Sequence, residues 1–207
     1  MKALFFIFAA SLAITQARTI KDQDLIKVDV YYETLCPDSM YFITRQYYPA
    51  FATLRKYLDV DLIPYGRANE TVVNGTKSFT CQHGPDECYG NKVHACVLNM
   101  TTIDVSSEFI YCSEVSDVPA SDVTLTNCAN LTDISWADIQ DCVTNGKADE
   151  LLSINGKKTD SVETPFIPTV ILNGEFSQTL EDIVEARGSF KKYICDLLGN
   201  PGFECMC

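Results

Sequence analysis

Ten cysteines, all of them beyond an N-terminal apolar run, constrain this 207-residue chain more than any other feature. The run, Ala3 to Ala10 and on through Leu12 and Ile14, follows Lys2 and ends at Thr15-Gln16-Ala17. A basic residue, a short apolar stretch and small residues at the two positions a signal peptidase reads make residues 1–17 a secretory signal. The stretch is shorter than the ~20 residues that span a bilayer, so cleavage is expected rather than anchoring. An exported chain meets an oxidising compartment, where most of its cysteines should pair. Four glycosylation sequons begin at Asn69, Asn74, Asn99 and Asn130, and they agree with that route.

Removing residues 1–17 takes away Lys2 and no acidic residue, so the net charge of −12 becomes −13. The remainder, residues 18–207, suits one domain with a single core, or one domain carrying a sizeable insertion. From Val93 to Gly146 there is no Lys or Arg, while eight carboxylates fall in the same stretch. Nucleic acid and anionic membranes are poor partners for such a surface. The acidity reads either as a solvated face or as adaptation to an acidic lumen.

Lys27-Val28-Asp29-Val30-Tyr31-Tyr32 has the composition of a strand. After Glu33-Thr34-Leu35 and Cys36-Pro37, the residues Met40, Ile43, Tyr47, Phe51, Leu54 and Leu58 recur at helical spacing. Pro37 suits a first helical position, whereas Pro49 should kink the run. Leu58 to Tyr65 reads as a second strand, which completes a βαβ unit. Residues 67–160 break the rhythm, with most of the cysteines, all four sequons and short helical patterns, and they predict a helical, disulfide-stapled insertion. A strand over Phe166–Leu172 follows, then an Asn173-Gly174 type I′ turn with a short strand at Glu175-Phe176. A terminal helix broken near Gly188 closes the chain. This order predicts an α/β, thioredoxin-like domain with a helical, disulfide-rich insertion.

Cys36 stands where a strand feeds a helix. Unpaired backbone N–H groups and the positive helix end favour a thiolate there, and the thiolate is the nucleophile of disulfide exchange. Ser39, three residues on, is placed to donate its hydroxyl hydrogen to the sulfur. The alternative is that Cys36 belongs to a structural disulfide. Three cysteines and both histidines of the chain also fall between Cys81 and Cys96. Zinc is the rival reading, but the gaps between the cysteines are not those of zinc fingers, and disulfides are expected instead.

That segment carries a resemblance. Cys81, Gln82, His83, Gly84, Glu87, Cys88, Asn91 and Cys96 match every fixed position of the hallmark of the gamma-interferon-inducible lysosomal thiol reductase family. The resemblance implies a thioredoxin-like fold, a largely structural role for the hallmark, and reduction of disulfides in endocytosed or secreted proteins at acidic pH. It also implies a link to host defence.

The family's catalytic element is Cys-x-x-Cys, and here Ser39 replaces the second cysteine. Attack by Cys36 remains possible, but the mixed disulfide lacks its local route of release. An external small thiol as electron donor, a substrate thiol or a distant cysteine would have to free it; no other cofactor and no metal are expected. With Cys36 set aside nine cysteines remain, so at least one more thiol is free, pairs with Cys36 or bridges to another chain. The chain-terminal Cys205 and Cys207 are the candidates, and a monomer or a disulfide-linked dimer follows. Pro168 resembles the cis-proline that faces the reactive cysteine in thioredoxin-like proteins, the alternative being an ordinary proline at a strand start. The expected catalytic set is Cys36, Ser39 and Pro168, in a lysosomal or secreted thiol–disulfide oxidoreductase acting on protein disulfides. Its rivals are a redox-impaired binding or defence glycoprotein of the same fold and a purely structural disulfide-rich module.

Overall fold

The computed structural model describes residues 25–162, 164–199 and 202–205; the expected signal, residues 1–17, lies outside them. Among the described residues no helix is long and apolar enough to cross a membrane. Three strands form the central sheet in the order β2-β1-β5. β1 (Ile26–Tyr32) runs parallel to β2 (Leu58–Pro64), with Val30 opposite Leu62. β5 (Thr169–Leu172) pairs antiparallel with the other edge of β1, setting Val30 against Val170.

β1 is covered on both sides, so every residue in it but Lys27 is buried. Val28, Val30 and Tyr32 enter the main core, while Tyr31 packs with Ile63 and Ile171 on the opposite face.

The crossover between β1 and β2 is a helical run in three pieces: α1 (Pro37–Phe42), a π turn (Ile43–Tyr47) and α2 (Tyr48–Leu54). Pro49 supplies no N–H, so a regular α ladder would lose a bond at that turn. The widened turn just before it absorbs the defect, and the Tyr48 N–H reaches the Ile43 carbonyl five residues back. The kink expected at Pro49 thus takes the form of a π segment. Phe42 meets Phe190 edge to face at 5.4 Å, which ties this run to the C-terminal helices.

Residues 67–160 are not wholly helical. They open with a two-stranded sheet, β3 (Asn69–Val73) and β4 (Thr76–Thr80), joined by Asn74-Gly75. Asn74 has φ 51° and Gly75 φ 81°, the left-handed pair that a type I′ turn needs. Five helices follow: α3 (Pro85–Met100), α4 (Ile103–Glu114), α5 (Asp122–Leu131), α6 (Trp136–Thr144) and α7 (Lys147–Asp160). Ser121 and Ser135 cap α5 and α6 by accepting from Thr124 N–H and Asp138 N–H. α3 packs against α4, α6, α7 and β2, so the insertion rests on the sheet.

Beyond β5, Asn173-Gly174 makes the expected turn, but the returning strand shrinks to one bridge between Leu172 and Glu175. The terminal helix is divided as predicted, into α8 (Gln178–Glu185) and α9 (Phe190–Leu197), with Gly188 between them.

Four disulfides staple this frame. Cys96–Cys142 joins α3 to α6, Cys112–Cys128 joins α4 to α5, and Cys195–Cys205 ties α9 to the C-terminal turn. Cys81–Cys88 closes the loop ahead of α3. Cys205 is therefore not a spare thiol, which corrects the expectation that it shared this role with Cys207. Cys36 is the free cysteine among the described residues, and Cys207 lies outside them. All four sequon asparagines are exposed.

Candidate active site

Cys36 caps α1, with extended backbone (φ −73°, ψ 119°) and its carbonyl accepting the Met40 N–H at 2.9 Å. The residue is only 8% exposed, and its thiol donates to the Ile167 carbonyl at 3.6 Å. The Ile167–Pro168 peptide is cis. Residues 131 positions apart in the chain thus meet at the sulfur, and the Ile167-Pro168 loop lies across it.

Two influences compete at the thiol. Burial pushes its pKa up and is the larger; the Ser39 N–H, the Ser39 hydroxyl and the Asp38 N–H pull it down. The Glu33 charge adds to the upward push. The helix start alone predicts a stabilised thiolate, but desolvation outweighs it, so the resting site holds the thiol. Ser39 is fully buried, and its oxygen also accepts the Glu33 N–H at 3.3 Å. One hydroxyl therefore braces the loop ahead of Cys36 and assists the sulfur.

The hallmark residues act on that loop. Asn91 Oδ1 accepts the Thr34 N–H at 3.1 Å, and the Thr34 hydroxyl donates to the Glu87 carbonyl at 3.1 Å. Gly90 admits this contact, because a Cβ there would lie 2.5 Å from Thr34 Oγ1. Gly84, at φ 93°, caps α3 in a conformation suited to glycine. The Glu87 carboxylate reaches back to the His83 N–H at 3.0 Å and to His83 Nδ1 at 2.5 Å. The Cys81–Cys88 bridge encloses this turn. Gln82 is exposed, and nothing in the structure explains its place in the motif. The other histidine, His94, lies buried between the Tyr32 hydroxyl at 3.0 Å and the Ser113 hydroxyl at 2.8 Å. Burial drives its pKa down to about 3, so it is a neutral core residue.

Several supporting residues carried no sequence signal. Glu33 is buried beside Gly66 and accepts the Arg67 N–H at 2.5 Å, while a Cβ at Gly66, which sits at φ +56°, would run into the Glu33 side chain. The Arg67 guanidinium donates to the Thr164 and Pro165 carbonyls at 3.0 and 2.8 Å, which anchors the approach to the cis-proline loop. Glu181 of α8 accepts the Val170 N–H at 3.0 Å, closing the outer edge of β5 two residues past Pro168. Beside Leu35 lies a cleft of about 470 Å³ whose walls include Asp86, Tyr89, Asp117 and Asp122.

The sequence model of the family described as gamma interferon inducible lysosomal thiol reductase (GILT) matches residues 27–132. The chain is also 33% identical, over 206 residues, to the gamma-interferon-inducible lysosomal thiol reductase-like protein of Anopheles gambiae, with 92% of this chain and 84% of that protein covered. This chain belongs to the GILT family. The GILT protein of Mus musculus is 31% identical over 169 residues, covering 80% of this chain and 67% of its own length. Among solved structures, reduced DsbA from Mycobacterium tuberculosis superposes with a TM-score of 0.54 at 18% identity, over 84% of this chain and 83% of that one. The thiol-disulfide exchange protein alpha-DsbA2 of Wolbachia pipientis gives 0.53 at 9% identity, over 81% and 84%. These likenesses show a thioredoxin-like, DsbA-type fold for the GILT chain.

Proposed function

We propose that this protein is a thiol–disulfide oxidoreductase that works through one thiol, Cys36, on disulfide-bonded proteins in a lysosomal or extracellular setting linked to host defence. Membership of a family of thiol reductases supports the reaction class. The observation that carries the one-thiol reading is the partnership at the helix start: Cys36 is free, Ser39 stands in the second position, and the other cysteines of the described residues are locked in four disulfides.

The Cys36 thiol loses its proton as it leaves the Ile167 carbonyl, and the thiolate attacks one sulfur of the substrate disulfide. A mixed disulfide forms, and the other substrate sulfur departs as a thiolate that takes up a proton. The backbone of the Ile167-Pro168 loop holds the extended substrate segment opposite Cys36. Ser39 carries no sulfur, so it cannot displace the product. An external thiol attacks the mixed disulfide and expels the substrate thiol, and a second external thiol frees Cys36 as an external disulfide forms. Two external thiols are thus oxidised for each substrate disulfide reduced. Where a substrate thiol attacks instead, the net result is rearrangement.

The test is reduction of a denatured, disulfide-bonded protein at acidic pH with a small thiol supplied. The wild type should exceed the uncatalysed rate and Cys36→Ser should not, while Ser39→Cys should reduce the dependence on the small thiol. Equal rates for wild type and Cys36→Ser would end the enzymatic reading and favour a binding glycoprotein.

A further inference from the structure

Glu33, His83 and Glu87 come from two distant stretches of chain, the loop before Cys36 and the start of α3. Their ligand atoms nevertheless all lie within 4.8 Å of one another. Both carboxylates are fully buried, while the His83 side chain is 31% exposed and leaves the cluster open to solvent on one side. Glu87 is spoken for by His83. Glu33 is not: its Oε1 takes the Arg67 N–H, but its buried Oε2 has no hydrogen-bond partner and faces His83 Nδ1 at 3.5 Å. The Arg67 guanidinium is turned to the Thr164 and Pro165 carbonyls. Two buried carboxylates thus converge on one imidazole nitrogen, and the Glu33 oxygen that approaches it is unused.

We propose that Glu33, His83 and Glu87 form a binding site for a divalent transition-metal cation of the Zn²⁺ type. Imidazole with carboxylates is a donor set that suits such an ion, and three protein ligands with one open position is a common tetrahedral arrangement. Bonds of about 2.0–2.1 Å place tetrahedral ligand atoms roughly 3.3 Å apart. The Glu33 Oε2 to His83 Nδ1 distance of 3.5 Å already fits that spacing. The 2.5 Å contact between His83 and Glu87 must open by less than an ångström, and the proton between them leaves as the metal enters. The half-open His83 ring has room for that adjustment. The site uses no cysteine, so it stands apart from the zinc reading that the disulfides of this segment displaced. Glu33 lies three residues from Cys36, and a cation held there would cancel the carboxylate charge that opposes the thiolate.

Titration calorimetry with ZnCl₂ at neutral pH tests the site, using the disulfide-intact protein. Wild type and Cys36→Ser should each bind one ion, and His83→Gln, Glu87→Gln and Glu33→Gln should weaken binding by at least about tenfold. CoCl₂ should produce visible d–d bands without a thiolate charge-transfer band. Glu33→Gln keeps an oxygen for the Arg67 N–H, so it decides the matter if the other two variants lose the wild-type circular dichroism. The proposal is overturned by an absence of saturable one-to-one binding, by unchanged affinity in the Glu33 variant, or by loss of binding in Cys36→Ser.

Discussion

Glu181 offers the sharpest link between acidity and stability. Its carboxyl is buried against the outer edge of β5, accepts the Val170 N–H, and has a second oxygen with no partner. Burial, aided by the charges of Glu185 and Asp182, raises its pKa from 4.5 to about 7 despite the opposing effect of the Val170 bond. The folded protein therefore holds a proton that the unfolded chain has already released. The associated stability is fully present below about pH 4.5 and is lost as the pH climbs through about 7. At about 1.4 kcal/mol per pH unit the displacement is worth at most about 3.5 kcal/mol, and water relaxation around the carboxyl reduces this to about 2.

Glu181→Gln keeps an oxygen for Val170 and removes the titration. The variant should match the wild type in acid and exceed it by about 2 kcal/mol in mild alkali, or roughly 4–8 °C in Tm for a chain of this size. Thermal melts across that pH range, with Cys36 alkylated to prevent exchange, supply the measurement. A stability gap that stays constant with pH, or one that widens toward acid, would refute the account of Glu181.

Other perturbations follow from the same contacts. Gly90→Ala forces a methyl group onto Thr34 and should cost about 1–3 kcal/mol, while slowing alkylation of Cys36 as the preceding loop shifts. Removing Cys96 and Cys142 together opens a loop of 46 residues, worth roughly 4 kcal/mol in chain entropy, and denaturant unfolding should register most of it. Arg67→Ala releases the Thr164 and Pro165 carbonyls. It should raise KM for a protein disulfide more than it lowers the reactivity of Cys36 toward a small alkylating agent, since the proposed mechanism has the anchored loop hold the substrate segment.

The junction at Cys36 is legible because its signals are local. A strand composition, a Cys-Pro pair and a helical repeat sit in consecutive residues, and the structure places Cys36 at that helix start. The proline before β5 was legible for the same reason. The β3–β4 hairpin escaped although Asn74-Gly75 is the same dipeptide as Asn173-Gly174. Its strands are short and mostly exposed, so no apolar alternation marks them. Disulfide partners escaped because pairing depends on helices that come together only in the fold, as Cys96 on α3 and Cys142 on α6 do. The convergence of Glu33 with His83 and Glu87 is of this non-local kind, and so is the edge closure by Glu181. The thiol's raised pKa was missed because a sequence displays the helix start but not the lid of Ile167 above the sulfur.

The serine at position 39 also bears on how this protein can be studied. Identifying the clients of a two-cysteine reductase ordinarily requires an engineered variant in which the second sulfur has been deleted. This chain has that form by nature, so the unmodified protein should serve as covalent bait. Rapid acid quenching and alkylation of tissue that makes it should preserve a ladder of adducts at Cys36. Release of that ladder by reductant would yield the clients directly.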